Sequence, residues 1–353
     1  MIRTLTLSLF ILFSFQTYSQ DECSVDSKLP SIDQSIVDVH HHLDRHAASD
    51  EQILKAFCKT LSPPDYKEIT QFIKSHGGKK KKDEVIHGVE FEDESPVHLE
   101  AFRRLTTARN ALNIADWPKD QIKIQDTYSI NPKCNKVKCA VEKIWGQELG
   151  LKLLYMLEKH SFNGSDIAFS HSKPFSVEEM DDILMALGDL PPHFVPLGIP
   201  NQRLGRFSYP ASPETQGVIA SAGIWLFDLW TEQTRPKKQY SVYHELSHNV
   251  AISLKKLDSS PEWMALSGWE KINKGALSKV EESFDKKNWT YKGDACLVST
   301  YGGVNPEEDF AESMSSYRYS PQDFQKRCPE KYNFLKEKVF KGIEYTSLEG
   351  CSL

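Results

Sequence analysis

The chain has 353 residues, 39% of them hydrophobic and 26% charged, which excludes a collagen-like, coiled-coil or wholly disordered protein and suffices for one large core or two modest ones. Its formal net charge of −6 gives a nucleic-acid partner no electrostatic support. No long apolar run follows the first residues, so no stable membrane anchor is expected.

The chain opens MIRTLTLSLFILFSFQTYS. Arg3 supplies a positive start, Leu5 to Phe15 is apolar but short for a bilayer, and Ser19 is a small residue at a cleavage edge. This pattern reads as a secretory signal peptide over 1–19, so the protein is expected to be exported, periplasmic or secreted. All seven cysteines lie beyond that point, and export favours disulfides. Cys134 and Cys139 close the short polar loop CNKVKC and are the first expected pair. Cys296 and Cys328 are a second candidate pair. The odd count leaves one thiol free or joined to another molecule.

Residues 20–95 read as an N-terminal segment. It carries SIVDVHHHLDRH, in which Asp38-x-His40-x-His42 looks like the first metal strand of an amidohydrolase barrel. That fold needs eight alternating strand–helix units, which the pattern does not show. The plainer reading of His40, His41 and His42 is a run of exposed histidines. Residues 50–75 look helical, interrupted by Pro63-Pro64. The stretch GGKKKKDEVIHGVEFEDES, 77–95, is a basic block followed by an acidic one behind two glycines, and reads as a charged linker or mobile loop.

From Pro96 to Leu112 the spacing of Leu99, Phe102, Leu105 and Ala108 predicts an amphipathic helix. Cys139 to Lys159 predicts another, through Val141, Ile144, Trp145, Leu149, Leu153 and Leu157. Ser176 with Glu179 three residues on is a helix-start signature for 176–187. The proline-rich stretch 191–213 reads as loop with a short strand near Arg206–Tyr209. Residues 218–230 read as a strand pair in a mixed sheet. The expected class is α+β, mostly helical.

Arg235-Pro236 is read as a stop, followed by a helix from Gln239 to Leu257 that carries YHELSH. Its Val242, Leu246, Val250 and Leu254 form one stripe for the core. His244 and His248 are four apart, so both imidazoles lie on one face and can reach one ion at about 2.0–2.1 Å. Glu245 is rotated from them by about 100° and can reach a water on the ion without binding the ion itself. A third protein ligand is required. Asn305-Pro306 starts a second helix, with Phe310, Met314 and Tyr317 toward the core. Glu308 can supply the carboxylate, with Glu307 and Asp309 as competitors. Glu312, one turn on, can hold the other ring nitrogen of a ligand histidine.

HELSH at 244–248 and E-D-F-A-E at 308–312 resemble the gluzincin metallopeptidases, and among them the bacterial peptidases similar to the anthrax lethal factor catalytic domain. These carry a similar E-x-F-A-E helix with a tyrosine seven residues before the ligand glutamate, a position held here by Tyr301. The resemblance spans roughly 240–320. It implies a zincin-like metallopeptidase region over 96–353, with a helical part (96–200) and a zinc-site part (201–353). It also implies Zn2+ on His244, His248 and Glu308, Glu245 as general base, Tyr301 as hydrogen-bond donor to the oxyanion, and a protein or peptide substrate. Two other readings stand beside it: a catalytically silent zincin-fold binding protein, and an amidohydrolase that uses the 38–46 Asp/His cluster.

Overall fold

The computed structural model describes residues 45–46, 63–78, 82–86, 89–111, 134–163, 175–199, 202–207, 217–220, 223–272, 288–292, 295–299 and 301–345. The signal-peptide reading over 1–19 and the His40–His42 run lie outside the described residues, as do Cys23, Cys58 and Cys351.

A two-residue strand β1 (Arg45–His46) pairs antiparallel with β9 (Glu344–Tyr345) at the far end of the chain. Helix α1 (Tyr66–His76) starts at Asp65, whose carboxylate accepts from the Glu68 N–H at 2.7 Å, and it buries Ile69 and Ile73.

The charged stretch 77–95, expected as a linker or mobile loop, has regular structure in its described residues 82–86 and 89–94. It contains β2 (Lys82–Ile86) and β3 (Val89–Glu94), an antiparallel hairpin. The alternation Val-Glu-Phe-Glu puts Val89 and Phe91 on one face and carboxylates on the other, so a strongly charged sequence still has an apolar side to bury. Phe91 meets Phe102 edge-on at 5.1 Å. Phe102 belongs to α2 (Pro96–Ala111), which also buries Leu99 and Leu105.

The single helix expected over 139–159 is two. α3 (Val137–Trp145) and α4 (Gln147–His160) are broken at Gly146, whose φ of 89° suits glycine. The two helices then touch closely: a Cβ on Gly150 would lie 2.3 Å from the Val141 carbonyl oxygen. The Cys134–Cys139 disulfide is present at the entry to α3, with Cα atoms 5.5 Å apart.

α5 (Val177–Gly188) carries the expected capping box: Ser176 Oγ accepts from Glu179 N–H at 3.1 Å, and Glu179 accepts from Ser176 N–H at 2.8 Å. Lys152 of α4 reaches Asp181 of α5 at 2.7 Å, joining the N-terminal helices to the rest. The sheet is mixed, as expected. β4 (Arg203–Phe207), β5 (Gly217–Ala220) and β6 (Gly223–Phe227) lie in the order β4-β6-β5, with β4 parallel and β5 antiparallel to β6. β4 starts three residues earlier than the sequence suggested, and a short α6 (Asp228–Thr231) follows β6. Among the described residues there is no barrel of alternating strands and helices.

The central helix α7 (Arg235–Ser253) begins four residues before the expected Gln239. The preceding α6 ends at Thr231, before Pro236, and Pro236 itself lies in the first turn of α7, where a residue needs no N–H for the helix ladder. It ends before Leu257, where Lys255 and Lys256 take positive φ values of 59° and 60°. Val242, Tyr243, Leu246, Val250 and Ala251 are fully buried, since α7 lies between α5, the sheet and α9 (Pro306–Tyr319). Between α7 and α9 come α8 (Pro261–Ser267) and the hairpin β7 (Trp269–Lys271) and β8 (Trp289–Tyr291). α10 (Pro321–Arg327) and α11 (Pro329–Lys338) close the chain before β9. A Cys296–Cys328 disulfide ties the segment before α9 to the α10–α11 junction. Asp189, at the end of α5, accepts from Gln239 of α7 (2.6 Å) and from Arg318 and Tyr319 of α9 (2.5 Å each). One buried carboxylate thus locks the three helices that frame the site.

Candidate metal centre

α7 and α9 pack side by side and bring together groups 64 positions apart. His244 and His248 sit one turn apart on α7, with ring centroids 5.1 Å from one another. Glu308 lies in the first turn of α9. Asn305 fixes that turn by accepting from the Glu308 N–H at 2.8 Å. Glu308 Oε2 lies 3.0 Å from His244 Nε2 and 3.4 Å from His248 Nε2. One candidate ligand atom from each of the three residues lies within 4.8 Å of the others. Two atoms bound at 2.0–2.1 Å to one tetrahedral ion are about 3.3–3.4 Å apart, close to the two distances from Glu308, and the nitrogen–nitrogen–oxygen donor set suits a metal such as zinc.

The other ring nitrogen of His244 is engaged. Nδ1 lies 2.8 Å from Glu312 Oε1, and the second oxygen of Glu312 accepts from Tyr240 Oη at 3.3 Å. This arrangement leaves Nε2 to face Glu308. Tyr240 was not picked out from the sequence. Its signal was available, because it stands one turn before His244 on the same helix.

Glu245 is buried at 8% exposure beside the two histidines. Burial raises its carboxyl, and the neighbouring imidazoles offset part of that. Burial opposes charge on His244, but hydrogen bonds to Glu308 and Glu312 outweigh it and raise the imidazole well above its ordinary range. Burial works against ionised Glu308 too, and the two histidines overcome it and hold the carboxyl far below its usual value.

Tyr301 is in a 3-10 turn, Tyr301–Gly303, packed on α9. The residue is 53% exposed, and its ring centroid is 5.7 Å from that of His244. Its hydroxyl end is desolvated and faces Glu308 and Glu245, which pushes the phenol up, so the group keeps its proton.

The two competitors for Glu308 are placed differently. Asp309 is fully buried and bound to Lys331 and to Trp269 Nε1. Glu307 stands outside the cluster of ligand atoms.

Residues 227–341 match the family model of the glucose-regulated metallo-peptidase M90. The M90-like segment runs from the end of β6 past α11 and contains every residue of the group just described. It covers less than half of the chain, and it supports a metallopeptidase, hence a hydrolase acting with a metal ion on a protein or peptide. It does not bear on the narrower resemblance to the lethal-factor-like peptidases. No curated protein and no solved structure matches the chain. No described helix is long and apolar enough to cross a membrane.

Proposed function

We propose that this chain is an exported, zinc-dependent metallopeptidase whose site is formed by α7 and α9. The observation that carries the reading is the meeting of His244, His248 and Glu308 in ligand geometry, inside the M90-like segment, with Glu245 and Tyr301 beside them. His244, His248 and Glu308 would hold the ion and leave a fourth position open. Zinc bound there supplies Lewis-acid polarisation of the scissile carbonyl and lowers the pKa of a water toward about 7.

The chain's own residues do the remaining work. Glu245 accepts the proton of the attacking water and delivers it to the leaving amine. Tyr301 donates its hydroxyl proton in a hydrogen bond to the oxygen on which negative charge develops. Glu312, braced by Tyr240, fixes the ring of His244. β5 is an edge strand of the described sheet and lies against α7, so an extended substrate can add to it through backbone hydrogen bonds. The two disulfides support export.

The test is paired: zinc per chain and cleavage of a peptide library, for the oxidised wild type and for Glu245→Gln. The variant keeps its zinc and its fold and loses about 10²–10⁴ in rate or more. A variant that cleaves normally moves the chemistry away from α7. A wild type that binds zinc and cleaves nothing leaves a silent binding protein.

A further inference from the structure

The first turn of a helix has no intrahelical acceptors for its N–H groups, so its pose is set from outside. Glu308 lies in such a turn, and its immediate neighbour Asp309 is held with unusual completeness. Lys331 Nζ of α11 contacts both carboxylate oxygens of Asp309, at 2.5 and 2.7 Å, and Trp269 Nε1 of β7 donates to Oδ2 at 3.0 Å. Asp309, Lys331 and Trp269 are all buried. Lys331 also lies over the Trp263 ring, 5.1 Å from its centroid, while Trp263 Nε1 donates to the Pro306 carbonyl at 3.2 Å in the same turn. None of these groups touches the candidate ligand atoms.

Such a pair is an expensive way to obtain stability. Well-packed apolar residues of similar volume commonly do as well as a buried ion pair or better. What the pair adds is direction: a buried ammonium tolerates a carboxylate at one place and not at others. A 20° turn of α9 about its axis would move groups some 5 Å from that axis by about 1.7 Å, judged from helix dimensions. Asp309 and Glu308 are consecutive, so whatever holds the first holds the second. A shift of that size is comparable with a whole metal–oxygen bond of about 2.0–2.2 Å.

We propose that Asp309, clamped by Lys331 and Trp269, is a positioning residue: it fixes the rotation of α9 so that Glu308 meets the two histidines, and thereby sets the affinity of the site for zinc. This inference rests on the metallopeptidase reading of that site.

The experiment uses the oxidised full-length mature chain and the variants Asp309→Asn and Lys331→Met. Zinc affinity is measured against a competing chelator, and the visible spectrum of the cobalt-substituted protein reports ligand geometry. The melting of the metal-free protein records stability separately. Both variants should bind zinc about 10–100-fold more weakly, the range seen when groups behind metal ligands are removed, and the cobalt bands should shift or lose intensity. Trp269→Phe removes one donor and keeps an aromatic ring; it stands in if the other variants do not fold, with the same two changes expected in smaller measure. Folded variants with wild-type zinc affinity and an unaltered cobalt spectrum overturn the inference, even if they melt earlier. A wild type that takes up no zinc overturns the underlying reading and this inference with it.

Discussion

His160 should make the metal-free protein sensitive to mild acid. It ends α4, is 5% exposed, and lies edge-on to Tyr155 with ring centroids 5.8 Å apart. Burial, with a smaller contribution from the charge on Lys159, lowers its imidazole from 6.5 to about 3. The ring is therefore neutral in the fold at pH 5, while the same ring in the unfolded chain is mostly protonated. A lowered folded value means that the contribution is whole above about 6.5 and is lost progressively as the pH falls toward 3. At about 1.36 kcal/mol per unit, the loss at pH 5 is about 2 kcal/mol, and the full span is about 5 kcal/mol. The assay is urea unfolding with chelator present, at pH 7 and pH 5, for wild type and His160→Leu. The remaining carboxylates and imidazoles titrate in both proteins and cancel in the comparison. Wild type should lose about 2 kcal/mol more than the variant between the two pH values. Equal losses would show that the ring is hydrated or protonated in the fold, and the reasoning would fail.

Glu308→Ala should release the metal while Glu307→Ala retains it, as read by metal analysis of the purified chains. The reverse result places the third ligand one residue earlier. Tyr301→Phe should lower kcat by about 10²–10³, the usual cost of one oxyanion donor, with zinc content unchanged. Phe91→Ala should cost about 3–5 kcal/mol in chemical denaturation, because Phe91 is fully buried in the hairpin core. A mobile linker at 77–95 would predict no change.

Much of the frame was readable because its signals are local. The 3.6-residue stripe of α2, the capping box of α5 and the one-turn spacing of His244 and His248 depend only on near neighbours in the chain. The acids at the start of α9 are a local pattern in the sequence, though only packing brings Glu308, and not Glu307 or Asp309, against the two histidines. What was missed is what depends on contact or on competing signals. The alternation Val89-x-Phe91 was hidden by the charges around it. The helical spacing runs straight through Gly146, and only the packed structure, with Gly150 against Val141, shows why the chain turns there. Pro236 separates α6 from α7, but its place inside the first turn of α7, which begins four residues before Gln239, shows only in the backbone. Lys331 carries no sequence sign of being buried, because its partner Asp309 lies 22 residues away.

The Cys296–Cys328 bridge encloses Tyr301, Glu308 and Glu312 in one covalent ring with a sequence separation of 32. A ring of that size removes roughly 3–4 kcal/mol of chain freedom from the unfolded state, on the loop-entropy account. The histidine half of the site, on α7, lies outside the ring. Material made in a reducing compartment would start refolding with that ring open, and the acidic half of the site would have to find its place unaided. Silence from such a preparation would report on how the sample was made, and a negative cleavage assay is informative only once this bridge has been shown to be closed.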